Sequence, residues 1–215
     1  MIVDRVALAR AALEGGAPVI QVRTKGVTDR AAGELAAEVA ELCAAHGALC
    51  VVNDRVDLAL AAGAGGVHLG ADDLPVAAAR RIAPPEMLLG GTARNPETAT
   101  RLAADGASYL GVGPVYGTTS KDGLPAPIGL DGLRAVATAA DAAGVPVIAI
   151  AGITAERVPE VLAAGAHGVA VIGAVAAADD PRRATEALVA AIATSVGEMP
   201  LHGRKSTHRT EGGGS

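Results

Sequence analysis

The segment VIQVRTK carries Gln21, Arg23 and Lys25 at every second position. In a β-strand, residues so spaced project to one side. Two cations and an amide on the inner face of an apolar strand are costly unless a ligand satisfies them. The competing arrangement is an ion-paired plug inside the fold. Asn53 and Asp54 end the segment VVNDR, and Asp72 and Asp73 follow VHLG. Carboxylates on neighbouring strand ends, beside cations, make an oxygen ligand set for a hard metal such as Mg2+. Plainer roles compete here too: Asp72 as a charge at a helix N-terminus, and Asp54 as the ion-pair partner of Arg55. His68 alternates with Gly66 and Gly70; a lone strand histidine is more often a hydrogen-bonded core residue than a catalyst.

Thr92 and Arg94 end GGTAR. The apolar LGVG of residues 110–113 then leads into a loop with Thr118, Thr119, Ser120 and Lys121. That loop runs for about fourteen residues where roughly 2–6 is usual, and connections of such length are commonly lids or binding loops. Gly152 in AIAGIT and Gly173 in AVIGAV stand just before helical sequence and leave backbone N–H groups open to a phosphate. Two anion sites result, one cationic with Mg2+ and one made of neutral backbone. They suit two phosphorylated small molecules, or one with phosphates at both ends.

The elements that must position these groups repeat along the chain. RAALEGGAPVIQV, LALAAGAGGVHLG, RLAADGASYLGVG and VLAAGAHGVAVIG each read as the end of an Ala/Leu helix, a glycine, and a short apolar run. Gly15, Gly63, Gly106 and Gly165 fit the left-handed position past a helix end. Asn95, Asp131 and Thr154 are expected N-caps. The apolar runs suit parallel strands buried on both faces. Strands are expected near 18–23, 48–53, 66–70, 87–91, 108–113, 146–151 and 168–172. Helices are expected near 3–14, 29–46, 55–62, 75–82, 95–104, 130–143, 155–164 and 181–194. The alternation predicts an α/β fold, a (β/α)8 TIM barrel. A doubly wound open sheet is the alternative, disfavoured because no GxGxxG follows the first strand. Seven strands against eight helices leave the barrel without its first strand. The expectation is therefore an open barrel, with about 15–25 residues missing ahead of Met1 to supply the strand. Residues 1–196 form one domain, and 197–215 read as a disordered tail.

Composition narrows the classes. The 215 residues carry a net charge of −5 and no Phe or Trp. No basic field or aromatic set favours nucleic acid. No apolar run reaches the roughly 18–20 residues of a membrane span, and no signal peptide opens the chain. Cys43 and Cys50 read as buried thiols in a cytoplasmic protein, and without a Cys/His cluster zinc is not expected. The oligomeric state is left open.

In their order, the motifs QVRTK, VVNDR, VHLGADD, GPVYGTTSK, IAGIT and VIGA resemble the thiamine-phosphate synthase/thiazole tautomerase family over about residues 4–194. The resemblance implies a (β/α)8 barrel that condenses hydroxymethylpyrimidine diphosphate with a thiazole phosphate, releasing pyrophosphate. It implies that Asp54 and Asp73 bind Mg2+, and that Arg23, Lys25, Asn53 and Lys121 hold the diphosphate. Gln21 and Thr92 would lie near the pyrimidine. Thr118 and Ser120 would meet the thiazole phosphate or close the loop over it, with Gly152, Ile172 and Gly173 completing that site. The chain departs from the family pattern at Ala71 (commonly Gln), Thr92 (Ser), Arg94 (His) and Gly173 (Ser), and GTTSK lacks a usual proline. Three alternatives stand beside this reading: a thiazole tautomerase-like relative, a Schiff-base aldolase using Lys25 or Lys121, and a non-catalytic phosphate binder weakened by the lost strand.

Overall fold

The protein, described here from a computed structural model, is resolved into elements over residues 1–118, 123 and 125–198. Strands and helices alternate from the start. They run β1 Ile2–Val3, α1 Val6–Glu14, β2 Val19–Val22, α2 Asp29–Ala45, β3 Leu49–Asn53 and α3 Val56–Ala61. Next come β4 Gly66–Leu69, α4 Val76–Arg80, β5 Leu88–Ala93, α5 Pro96–Ala104, β6 Tyr109–Val112 and α6 Gly129–Ala142. The chain continues through β7 Val147–Ile150, α7 Val158–Ala163, β8 Gly168–Ala170, α8 Gly173–Ala176 and α9 Pro181–Glu198. All eight strands pair in parallel, in sequence order. The Ile2 N–H donates to Val171 O at 3.0 Å, which joins the end of β8 to β1. The result is a nearly closed (β/α)8 barrel.

The expected missing strand is therefore corrected. Ile2 and Val3 pair with Gln21 and Val22, and both are buried. Gln21 N–H donates to Met1 O and Arg23 N–H to Val3 O, each at 2.8 Å. The edge of β2 that was expected to lie bare is covered by this strand, and the bond at Val171 links it to the chain just past β8. A two-residue strand is too short for alternation to show, so the opening residues merge into the periodic pattern of α1. That helix starts at Val6, not at residue 3.

The helices form for local reasons. Thr28 caps α2 by accepting from the Ala31 N–H at 3.3 Å, and Asp29 places a negative charge in the first turn. Ala32, Ala36, Val39 and Cys43, spaced by three and four, are its buried stripe. Asn95 caps α5 through the Thr98 N–H at 2.8 Å, with Pro96 at the first helical position. Asp131 is not a cap but sits inside the first turn of α6, and Thr154 makes no side-chain capping bond. Gly63, Gly106 and Gly165 are left-handed as expected, whereas after α1 it is Gly16 that turns. Gly15 is needed for another reason: a Cβ there would lie 2.6 Å from Arg182 O, because α9 crosses against it. Val, Leu, Ile and Ala fill the core, as the absence of Phe and Trp requires. Cys43 and Cys50 are buried free thiols. Among the described residues, no helix is long and apolar enough to cross a membrane. The tail expected over 197–215 is corrected at its start, because helix α9 extends to Glu198, and residues 199–215 lie outside the described set.

Candidate active site

A parallel barrel points all its strand C-termini to one end, so the residues after β2, β3, β4 and β5 share one rim. On β2, Ile20 and Val22 are buried while Gln21 is partly exposed, the alternation expected of a strand with an inward Gln. Gln21, Arg23 and Asn53 make no side-chain hydrogen bond among the described residues. Lys25 does: its Nζ donates to Asp54 Oδ2 at 2.8 Å. The ion-paired alternative thus holds for Lys25 and not for Arg23.

Asp54 sits in a tight turn. Its φ is +66°, and the Arg55 N–H closes back on Asn53 O at 2.8 Å. A three-residue turn with positive φ is rare and strained, and such strain concentrates at functional sites. Two contacts hold it. The Asp54 N–H donates to His68 O on β4 at 2.8 Å. Arg55 donates to Asp29 at 2.7 Å and to Asp57 at 2.6 Å, tying the turn to the start of α2. Arg55 is therefore no partner of Asp54, which is left to face Lys25.

Asp73 meets Asp54 from the next strand end. Its Oδ2 accepts the Gly70 N–H at 2.7 Å, which fixes the turn after β4. Burial pushes the Asp73 carboxyl up, and the neighbouring Asp54 carboxyl pushes it further, against the Gly70 N–H and Lys25. Burial also pushes Asp54 up, but Lys25, the shared contact with Asp73 and the charge of Arg23 outweigh it and hold Asp54 low. Two carboxyls side by side compete for one proton, and a cation between them relieves the conflict. Among the described residues no cluster of three or more His, Cys, Asp or Glu exists to hold a metal. The pair still suits Mg2+, which commonly takes one or two carboxylates and completes its shell with waters and substrate phosphates. Asp72 is not needed for this arrangement.

A small pocket of about 120 Å3 lies behind the Asp54 turn, lined by Thr24, Asn53 and Asp54 among others. Ligand pockets run to roughly 300–1,000 Å3, so the open rim rather than this recess must receive a substrate.

Across the rim, the chain reverses at Ala151 and Gly152, both at positive φ (+80° and +67°). A Cβ on Gly152 would sit 2.6 Å from Gly117 O and 2.7 Å from Tyr116 Cβ, so glycine lets the long loop pack against the end of β7. Tyr116 donates to Glu160, and the Arg157 guanidinium lies 4.3 Å from its ring centroid while Arg157 Nη1 donates to Gly152 O at 2.6 Å. Burial, helped by Glu160, pushes the Tyr116 phenol up to about 12. This brace was not foreseen from the sequence; Tyr116, one of only two tyrosines, was its one signal. The base of the long loop is pinned by Ile128 N–H to Pro114 O at 2.8 Å and Gly129 N–H to Val115 O at 3.2 Å. Arg94 Nη2 adds a bond to Ala126 O at 2.8 Å. Thr118 lies on the near side of the loop, whereas Ser120 and Lys121 lie outside the described residues. Ile172 and Gly173 open the four-residue α8 directly after β8.

Gly152→Ala should destabilise the protein by about 2–4 kcal/mol, adding left-handed strain to steric overlap. Gly47→Ala is the control: its φ is +66° but a Cβ there meets nothing within 4 Å. Its cost should stay near the strain alone, about 1–2 kcal/mol. Urea midpoints at constant slope measure both, and equal losses would show that the loop does not depend on this contact.

His68 is the histidine the sequence left between core and catalysis. It lies in the barrel, with Nδ1 3.1 Å from Tyr109 Oη and Nε2 3.0 Å from Thr92 Oγ1. Tyr109 escaped the sequence reading, although it alternates with Gly111 along β6.

Comparison with known proteins agrees with this fold. Residues 3–175 match the family described as thiamine monophosphate synthase. The thiamine-phosphate synthase of Salinispora arenicola is 57% identical over 192 residues, covering 88% of this chain and 91% of the relative. That of Salinispora tropica is 55% identical over 175 residues, covering 81% and 83%. The solved structure of thiamine phosphate pyrophosphorylase from Pyrococcus furiosus superposes with a TM-score of 0.80 at 39% identity, covering 88% of this chain and 90% of that one. With fold and sequence in agreement over most of its length, the chain belongs to the thiamine monophosphate synthase family.

Proposed function

We infer that this chain is a transferase of the thiamine-phosphate synthase type, joining hydroxymethylpyrimidine diphosphate to a thiazole phosphate. The observation that carries the reading is the Asp54–Asp73 carboxyl pair flanked by Lys25 and Arg23 on adjacent strand ends. Asp54 and Asp73 would hold Mg2+, which when bound neutralises charge on the diphosphate. Arg23, Lys25 and Asn53 orient that diphosphate and stabilise the negative charge that gathers on it as it leaves. Gln21 and Thr92 face the pyrimidine. The backbone at Gly152, Ile172 and Gly173 takes the thiazole phosphate. Thr118, with Ser120 and Lys121 further along the same loop, shields the reacting centre from water, which would otherwise capture the electron-poor pyrimidine carbon.

The carbon–oxygen bond to the diphosphate breaks and its electron pair leaves with pyrophosphate. The thiazole nitrogen supplies the pair for the new carbon–nitrogen bond, so no proton needs to move. That balance asks for no general base, and the rim histidine among the described residues, His68, is held on both ring nitrogens. The binder alternative leaned on an absent strand, and Ile2–Val3 removes that support. The test is pyrophosphate release, which should require both substrates and a divalent cation. Release from neither pair nor single substrate would refute the reading, and isomerisation of a thiazole phosphate alone would favour the tautomerase-like alternative.

A further inference from the structure

Three side chains inside the barrel form a hydrogen-bonded chain to which the reaction above gives no task beyond its last member. Tyr109 Oη meets His68 Nδ1 at 3.1 Å, and His68 Nε2 meets Thr92 Oγ1 at 3.0 Å. The Tyr109 and His68 rings stack with centroids 5.6 Å apart and planes inclined by 30°. Two glycines make the seat. A Cβ on Gly90 would lie 2.6 Å from His68 Nδ1, and one on Gly111 would lie 2.8 Å from His68 Cε1. In a chain with two tyrosines and no other six-membered or indole ring, placing two rings together in the barrel requires this space.

The direction of the protons follows from the partners. Among the described residues, the Tyr109 hydroxyl has one hydrogen-bond partner, His68 Nδ1. Burial raises the Tyr109 phenol well above its ordinary range, so it keeps its proton. That proton goes to Nδ1 or stays unsatisfied in a part-buried setting, at a cost of about 1–3 kcal/mol. Nδ1 therefore accepts, and a neutral imidazole then carries its own proton on Nε2. Nε2–H donates to Thr92 Oγ1. The Thr92 hydroxyl proton has no other partner among the described residues and turns to the open rim at the end of β5.

We propose that Tyr109 and His68 are positioning residues that fix the Thr92 hydroxyl as a hydrogen-bond donor toward a ring nitrogen of the bound pyrimidine. The inference rests on the reading that the pyrimidine docks against Thr92. It gives the site a preference: a heterocycle presenting an acceptor at this point is bound, and one presenting an N–H there meets two opposed donors. Reversing the chain would require Tyr109 to accept and bury its own proton unpaired.

Two measurements test the proposal. The first is nitrogen NMR of the full chain labelled with 15N-histidine, with the His68 signals assigned by their loss in His68→Gln. Nδ1 should resonate as an unprotonated, pyridine-type nitrogen and Nε2 as a protonated one, and Tyr109→Phe should abolish that fixed pattern. The second is a double-mutant cycle on pyrophosphate release. Tyr109→Phe should lower kcat/KM for the pyrimidine diphosphate about tenfold, with KM for the thiazole phosphate unchanged, and should have little further effect in a Thr92→Val background. A protonated Nδ1 in the unaltered protein would overturn the proposal, as would an equal loss in both backgrounds. The NMR signals are read without substrate, so a chain that released no pyrophosphate would sink the proposed reaction while the tautomer was still decided.

Discussion

Asp73→Asn should lower turnover at ordinary Mg2+ by at least about 100-fold, the scale of losing one charge-stabilising group at a reacting centre. The fold should hardly notice. Asparagine keeps a side-chain oxygen that can accept the Gly70 N–H, now made by Asp73 Oδ2 at 2.7 Å. The substitution also removes a part-buried carboxyl that its neighbour Asp54 disfavours. The melting temperature should therefore move by less than about 2–4 °C, the equivalent of 1 kcal/mol in a domain of this size. Asp73→Ala separates the two roles of the side chain, because it loses the turn bond as well as the charge and should lower both turnover and melting temperature. Raising Mg2+ should recover part of the Asn variant's turnover. Full turnover at an unchanged Mg2+ requirement would show that Asp73 only shapes the turn after β4.

Lys25→Met should cost turnover by a similar factor, about 100-fold or more, with almost no change in stability. The magnitudes separate the two effects. The Lys25 side chain is 60% exposed, and an ion pair in such a setting contributes only about 0–1 kcal/mol to folding. At the reacting centre the same cation is asked to meet charge that grows as the diphosphate leaves, where placed charges are worth far more. Methionine preserves most of the apolar stem, so the comparison isolates the ammonium group. The loss should fall mainly on kcat rather than on the KM for the thiazole phosphate. A variant with normal kcat and a lowered melting temperature would place Lys25 in the structure rather than the chemistry.

The barrel and most of its rim were legible in the chain because both rest on local pattern. Apolar runs following Ala/Leu helices and glycines announced seven parallel strands, and the polar residues that end those runs marked the rim. Gln21, Arg23, Asn53, Asp54, Asp73 and Thr92 were found for one reason: polar groups closing apolar strands stand out against the run before them. Gly63, Gly106 and Gly165 were found because a left-handed helix end favours glycine. What failed was anything too short or too distant for a pattern. Ile2–Val3 offers two residues where alternation needs at least four, and its identity as a strand comes from pairing with β2 and from the bond to Val171.

Partnerships, too, needed the tertiary structure. Sequence adjacency suggested that Asp54 pairs with Arg55, yet the positive-φ turn at Asp54 sends the two side chains apart, one to Lys25 and the other to Asp29 and Asp57. Pairing of β3 with β4 brings Asp73 to Asp54 across nineteen residues of chain, and pairing of β4, β5 and β6 brings Tyr109 and Thr92 to either side of His68. By itself the sequence determined which side chains close the strands, because burial of apolar faces is written in local periodicity. Only the folded barrel decided which of those side chains meet, because a contact between strand ends depends on strand pairing and register, and neither leaves a trace in the spacing of residues along one strand.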